Sequence, residues 1–252
     1  MRILALADLH STPGNEKAMR QAAEESKKDD IDVVVIAGDI SDWGIGYAFE
    51  SLHNLFDVPV VFCLGNHEFA RRTVADVMKR CNQQQGLYFG KNIYCLDVVR
   101  TVTIKGVTFG GNVLWYDGSL SNMDEESKRK AVEHINPHWL DASIKDFDVL
   151  SENRLCVERI MHLKEADGPK VLVTHTVPHK ELNWFETNMP DSPFNIYSGM
   201  ADLISKVQPD VAICGHTHKR VIARIGDCRC FNIGNDYSYR DGWVLQKDII
   251  EL

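Results

Sequence analysis

The chain has 252 residues, 44% of them apolar and 25% charged, with a net charge of −8. This is the balance of a globular protein long enough to bury a core without staples. The acidic balance disfavours a broad basic surface of the kind that wraps nucleic acid.

Residues 1–7 form a continuous apolar run, as expected of a strand buried on both faces. The run passes straight into Asp8-Leu9-His10. It has no cleavage site that would spare those residues, and it is expected to be a first strand and not a signal peptide. Residues 15–28 are rich in Ala, Glu, Lys and Gln, a helical composition. Residues 31–37 make a second buried strand, ending in Gly38-Asp39-Ile40-Ser41-Asp42. A helix over 48–56 follows, then a third strand over 58–64 that ends in Gly65-Asn66-His67-Glu68. Strand and helix alternate at the intervals of βαβ units and a mainly parallel sheet.

The middle of the chain changes character. Short β-type pieces at 93–98, 101–104 and 107–110, with a tight turn at Lys105-Gly106, predict an antiparallel meander. Residues 117–169 are polar and largely helical, with helices over 125–134 and 152–166. Ser151 is expected to cap the second, and Asp167-Gly168-Pro169 to stop it. A strand from 170 leads to His175. The aperiodic segment 176–197 holds Trp184, Phe185 and three prolines; loops of this length often carry function. A short capped helix over 198–207 precedes a strand over 211–214 that ends in Gly215-His216-Thr217-His218. Late strands are expected over 221–225, 230–233 and 242–250. No repeat or linker divides the chain, so 1–252 is expected to be one domain.

No apolar run approaches the ~20 residues of a membrane helix, and a cytoplasmic location is expected. The seven cysteines fit a reducing compartment. Cys63 and Cys214 lie in apolar strands, and Cys228-x-Cys230 lacks the second pair of a zinc site.

Polar residues of one kind collect where buried strands stop: Asp8, His10, Asp39, Asn66, His67, His175, His216 and His218. In open α/β sheets, ligands bind at the carboxyl ends of the strands. Side chains at i and i+2 of an extended segment share a face. Asp8 with His10, and His216 with His218, are therefore expected to present two donors each to one point. Asn66 and His67, as neighbours, are expected to point apart. Taken singly, Asp8 reads as well as a turn residue and Asn66 as a helix cap. Five strand ends of the same kind do not yield to that explanation. Together they offer at least seven nitrogen and oxygen donors and no thiolate. Such a set suits manganese, iron, zinc, cobalt or nickel. It exceeds one tetrahedral zinc. It matches two ions that share a carboxylate, clamp a phosphoryl centre and lower the pKa of a bridging water. His53, His134, His138 and His162 have no such partners and are read as structural.

The sequence resembles the calcineurin-like metallophosphoesterases. The motifs that carry the resemblance are Asp8-x-His10, Gly38-Asp39-x-x-Asp42, Gly65-Asn66-His67-Glu68, His175 after an apolar strand, and Gly215-His216-x-His218. They occur in the family's order over residues 8–218. The resemblance implies an α/β fold, a four-layer αββα sandwich of two mixed sheets flanked by helices. It implies two divalent transition-metal ions, manganese first, with iron, zinc, cobalt or nickel as alternatives. One would be held by Asp8, His10, Asp39 and His218. The other would be held by Asp39, Asn66, His175 and His216, with Asp39 bridging. His67 would contact the phosphate and protonate the leaving oxygen, and Asp42 would orient it.

The implied reaction is hydrolysis of a phosphomonoester or phosphodiester, small molecule or nucleotide, by a metal-bridging hydroxide. A nuclease on the same site and a non-catalytic binding scaffold are the alternatives. The acidic balance weighs against the first, and the complete donor set with His67 against the second. The protein Ser/Thr phosphatase branch usually has Arg before the Gly-Asn-His-Glu motif and Arg-Gly after the second Asp. Leu64 and Trp43-Gly44 stand there, which disfavours that branch. The segment 117–197 is expected to cap the site, with Trp184, Phe185 and His179 in the pocket wall. Trp115 belongs either to the substrate side or to the core. No role for Glu68 follows from the sequence.

Overall fold

The computed structural model describes residues 1–190, 192–235 and 245–252. The first sheet contains β1 (Arg2–Leu6), β2 (Val33–Ala37), β3 (Val60–Cys63), β4 (Ile93–Cys95) and β11 (Asp248–Glu251), in the spatial order β11-β1-β2-β3-β4. The first four run parallel, with Ile3 opposite Val33, Val34 opposite Val60, and Val60 opposite Ile93; β11 is antiparallel. The second sheet contains β5 (Thr101–Ile104), β6 (Val107–Asn112), β7 (Lys170–Thr174), β8 (Val211–Cys214), β9 (Arg220–Ile225) and β10 (Cys228–Ile233), in the order β5-β6-β7-β8-β10-β9. Its inner four strands are parallel and its two edges antiparallel.

The helices that matter here are α1 (Lys17–Lys28), α2 (Ile45–Leu55), α3 (Asn66–Phe69), α4 (Val74–Leu87), α5 (Leu96–Val99), α6 (Glu125–Glu133) and α7 (Val149–Ile160). The inner strands β2, β3 and β8 are apolar throughout, and β1 and β7 nearly so, because both faces are covered. Ile3, Ala5, Val33 and Val35 meet Phe109, Val171 and Ile213 between the sheets. Leu4, Leu6, Val34 and Ile36 pack outward on Ala22, Phe49 and Leu52 of α1 and α2. Leu172 and Ala212 of the second sheet pack outward on Ile160, Leu163 and Leu203. Full burial of one such Val, Ile or Leu contributes roughly 1.5–3 kcal/mol. The result is helices, sheet, sheet, helices: the expected αββα sandwich.

Several expectations need correction. The middle strands are not one meander. β4 joins the first sheet in parallel, and α5 then carries the chain across to the second, so only β5 and β6 form a hairpin around Lys105-Gly106. The helix expected over 152–166 begins at Val149, because Asp148 and not Ser151 caps it; the Asp148 carboxylate accepts the Ser151 N–H at 3.1 Å. It ends in a 3-10 stretch, Met161–Glu165. The segment 198–207 is helical only at Ile204–Val207. The segment 176–197 is not structureless: it holds turns at Lys180–Leu182 and Pro193–Tyr197 and a short helix at Trp184–Asn188. Part of the late strand expected over 242–250 lies outside the described residues, and the described part is β11. Helix α4, not among the expected elements, turns Val74, Val77, Met78 and Cys81 to the core at i, i+3, i+4 and i+7 spacing. Trp115 is a core residue, packed edge-on against Phe69 and Phe147.

Among the described residues no helix is long and apolar enough to cross a membrane. All seven cysteines are free thiols, and among the described residues none joins a metal-like cluster.

Asp97 on α5 ties the two sheets together beside the strand ends. Its Oδ2 accepts the Leu64 N–H at 2.7 Å and its Oδ1 the Val113 N–H at 2.9 Å. Burial lifts its pKa to about 6 against the pull of those bonds. Asp97→Ala strands two buried N–H groups, and is expected to cost about 2–4 kcal/mol in urea unfolding, with Asp97→Asn costing less. Equal stability of Asp97→Ala and the unaltered protein would show that the tie carries nothing.

Candidate metal centre

The carboxyl ends of β1, β2, β3, β7 and β8 meet at one edge of the sandwich, and the loops leaving them interlock. The Asp8 N–H donates to Gly38 O at 3.2 Å, His10 N–H to Asp39 O at 2.9 Å, and Gly215 N–H to His175 O at 3.0 Å. None of these loops continues as a strand. Asp8, His10, Asp39, His216 and His218 all have left-handed backbones, with φ of 53°, 43°, 49°, 70° and 52°. The expected sharing of a face at i and i+2 of an extended segment is therefore wrong in its geometry, although the paired donors do converge. They converge through tight left-handed turns, each costing roughly 1–3 kcal/mol at a non-glycine residue. Asn66 and His67 likewise sit on the first turn of α3, not on an extended segment.

Two glycines make room for this crossing. A Cβ on Gly38, which is itself left-handed at φ 80°, would stand 2.3 Å from the His175 ring. A Cβ on Gly65 would stand 2.1 Å from Asp39 Oδ1. Gly65 has φ −115°, so close approach and not backbone freedom requires glycine there.

Asp39 lies at the centre, buried. Its Oδ2 is 3.3 Å from His175 Nε2, 3.7 Å from His10 Nε2 and 3.8 Å from His67 Nε2. Its Oδ1 accepts the His67 backbone N–H at 3.0 Å. Donor atoms of Asp8, His10, Asp39 and His218 all lie within 4.8 Å of one another. On the other side of Asp39, Asn66 Oδ1 is 2.9 Å and His216 Nδ1 3.3 Å from His175 Nε2. The seven residues singled out as ligands are thus brought together around Asp39.

Each imidazole is aimed by its other nitrogen. His175 Nδ1–H donates to Ala37 O at 3.0 Å, and His216 Nε2–H to Tyr197 O at 3.0 Å. His218 Nδ1–H donates to Asn235 O. His10 Nδ1 meets Asp42 Oδ1 at 3.0 Å. Such outer partners fix the tautomer and turn the free nitrogen toward a cation. Nitrogen and carboxylate donors aimed in this way fit divalent metal ions.

His67 lies beside this set, its donor atoms within 4.8 Å of those of His10 and Asp42. Its Nδ1 is 2.9 Å from Asp42 Oδ1, the same oxygen that holds His10, and its ring is partly exposed. Burial lowers the His67 pKa, but Asp39 and the bond to Asp42 outweigh it and raise it to about 9. Burial likewise opposes the charge on His175, and Asp39 and Asp8 raise that pKa to about 10. His216 goes the other way: burial and the charge on His175 push it down to about 3. The bonds from His10 and His67 overcome burial and hold Asp42 well below the usual carboxylate range.

The role of Glu68 is visible in the structure. It is buried, its Oε2 accepts the Gly65 N–H at 2.6 Å and its Oε1 the Ser41 N–H at 2.9 Å. It staples the loop after β3 to the loop after β2. Burial and the nearby Asp39 raise its pKa to about 7.

A model of the calcineurin-like phosphoesterase family matches residues 1–220. The chain belongs to that family. The structure of phosphopantetheinyl hydrolase from Mycobacterium tuberculosis superposes with a TM-score of 0.70 at 18% identity, covering 98% of this chain and 95% of that one. The protein TT1561 of Thermus thermophilus gives 0.57 at 13% identity, over 93% and 89% of the two chains. A dimetal phosphatase from Danio rerio gives 0.50 at 14% identity, over 93% and 87%. At these identities the likeness is one of fold. No curated protein matches the chain.

In this member of the family Asp39, Asn66, His216 and His218 floor a cavity of about 360 Å3. Trp139, Leu140, Phe185 and Phe194 line its apolar side. Phe185 is where the sequence placed it, but Trp184 and His179 are not in the wall. Trp184 packs edge-on to Phe185 and under Lys219 Nζ, and His179 Nδ1 accepts the Glu181 N–H at 3.3 Å. Trp139 and Phe194 have no periodic signal that would have found them. Asp141 is a further residue missed. It is buried, accepts Asn66 Nδ2–H at 2.7 Å and Trp139 Nε1–H at 3.1 Å, and so turns the Asn66 oxygen toward the donors. Asn235 had a legible signal: β10 ends in Ile233-Gly234-Asn235, the same apolar-Gly-polar ending as β3.

The pH dependence of stability has a definite sign. His67 and His175 have folded pKa values above their usual 6.5, so the stability they add is complete below 6.5 and is lost as pH rises through about 9 and 10. His216 lies below its usual value, so the folded state loses stability as pH falls from 6.5 toward 3. In chelator-treated protein Tm is expected to peak near pH ~6.5 and to decline to pH ~10, less steeply in His67→Gln. A Tm that climbs between those values would contradict the charge assignment.

Proposed function

We propose that this chain is a dinuclear metal-dependent phosphoesterase acting on a small phosphomonoester or phosphodiester, nucleotides included. The observation that supports it most is the placement of Asp39 Oδ2 between imidazoles from both donor groups, 3.7 Å from His10 Nε2 and 3.3 Å from His175 Nε2. Asp8, His10, Asp39 and His218 would hold one ion. Asp39, Asn66, His175 and His216 would hold the other. Divalent ions bound there would supply Lewis acidity and hydroxide near neutral pH. The mixed imidazole and carboxylate donors accept manganese, iron, zinc, cobalt or nickel, and the family resemblance puts manganese first.

The protein's own part in the reaction falls to His67. Asp42 takes its Nδ1, which leaves Nε2 for the cavity. Its pKa of about 9 keeps it protonated at neutral pH, ready to give a proton to the leaving oxygen. A cation beside Asp39 would offset part of the carboxylate charge and draw that value down toward neutrality. Asn66 is held in one orientation by Asp141, and Trp139, Leu140, Phe185 and Phe194 give the substrate an apolar wall. The segments that supply Trp139, Phe185 and Phe194 lie within 117–197 and would form the cap of a single domain.

The reading is tested by assaying aryl phosphate mono- and diesters, nucleotides and DNA with each of these metals and magnesium. Turnover of at least one phosphoester class is expected. His67→Ala should lower kcat by roughly a hundredfold or more with metal content unchanged. No turnover with any metal, or full activity in His67→Ala, would overturn it.

A further inference from the structure

Beside the central cavity lies a second hollow, a trough of about 430 Å3. Asp42, His67, Ala70, Arg71, Arg72 and Leu140 line it. His67 and Leu140 also line the central cavity, so the two spaces adjoin across the residue that faces the reacting phosphate. The phosphoesterase function assigns nothing to the trough.

Its charge is unbalanced. Asp42 is the carboxylate in it, and that group is already taken by His10 at 3.0 Å and His67 at 2.9 Å. The two arginines are not neutralised: among the described residues neither makes an ion pair within 4.0 Å. Arg72 is held in place by its own backbone neighbours, its Nη1 donating to Glu68 O at 3.4 Å and Ala70 O at 3.3 Å. Arg71 is exposed, in the left-handed region at φ 63°, with its N–H donating to Ser143 Oγ at 3.1 Å. A strained, pinned backbone thus carries an open guanidinium at the mouth of the site.

We infer that Arg71 and Arg72 form an anion subsite. It takes a second anionic group, phosphate or carboxylate, on one arm of the substrate while the scissile phosphate sits on the donor cluster. Arginine recognises such groups through paired N–H donors, and a preformed pair loses little freedom on binding. The other arm of a diester then meets the apolar wall of Trp139, Phe185 and Phe194. The substrate class is narrowed to phosphoesters with one further anion and, in diesters, one apolar or planar arm. This narrowing rests on the phosphoesterase reading, whereas the anion subsite can be tested without turnover.

The test is calorimetric titration of the metal-loaded protein with non-hydrolysable alkane-α,ω-bisphosphonates of increasing length, matched ω-carboxyalkyl phosphonates, and alkyl monophosphonates. The best bisphosphonate is expected to bind at least about tenfold tighter than its monophosphonate. The carboxylate series shows which anion is preferred. Arg71→Ala should bring that ratio close to one, and Arg71→Glu below it, while Arg80→Ala, outside the trough, keeps it. A ratio near one in the unaltered protein, or one that survives Arg71→Glu, would overturn the subsite. Parallel hydrolysis of bis-4-nitrophenyl phosphate keeps the two failures apart. Turnover without a ratio removes the subsite alone. A ratio lost in Arg71→Ala, with no phosphoester turned over, upholds the subsite and removes the enzymatic reading.

Discussion

A buried carboxylate surrounded by imidazoles is the constraint on which the rest of this structure turns. Asp39 cannot be solvated by water where it sits, so its charge has to be met by the protein or by a bound cation. Without a cation, His175 and His67 meet it by holding protons well above their ordinary range. The proton on His175 occupies the place a metal ion would take, so an ion bound there would displace it and bind more strongly as pH rises.

To bring that many donors to one carboxylate, the chain departs from strand geometry at every ligand-bearing turn. Five of the proposed ligand residues lie in left-handed backbone, which persists when the surroundings overdetermine it. Those surroundings are legible here. Glu68 fastens the loops after β2 and β3, and Asp97 fastens β3 to the strand end at Val113. Asp141 fixes the amide of Asn66 from outside the sandwich. The strand cores behind supply the rigidity, since β1, β2, β3, β7 and β8 are buried on both faces.

Much of this was open to reading in the sequence, for a physical reason. A strand buried on both sides has few polar residues, so the cluster of polar residues that follows it marks the sheet edge. Asp8, Asp39, Asn66, His175 and His216 all sit at such breaks. The left-handed turns were not legible, because Asp and His carry no signal that separates a bend from a strand continuation. Nor was the cavity wall. Trp139, Leu140 and Phe194 come from short turns with no period, and their place is decided by tertiary packing, as when Trp139 stacks on Tyr197 at 5.3 Å. Glu68 stayed opaque because its two partners are backbone N–H groups, one of them 27 residues away.

The family fold leaves the ends of the strands to decide the chemistry, and here they decide it around one oxygen pair. The most direct test is the metal content of Asp39→Asn, which keeps the shape of the side chain and removes its charge. Metal analysis after loading and desalting is expected to find two divalent ions per chain in the unaltered protein. In Asp39→Asn it should find at most one, with Tm showing the fold intact. Two ions retained in Asp39→Asn, or none in the unaltered protein, would contradict the account.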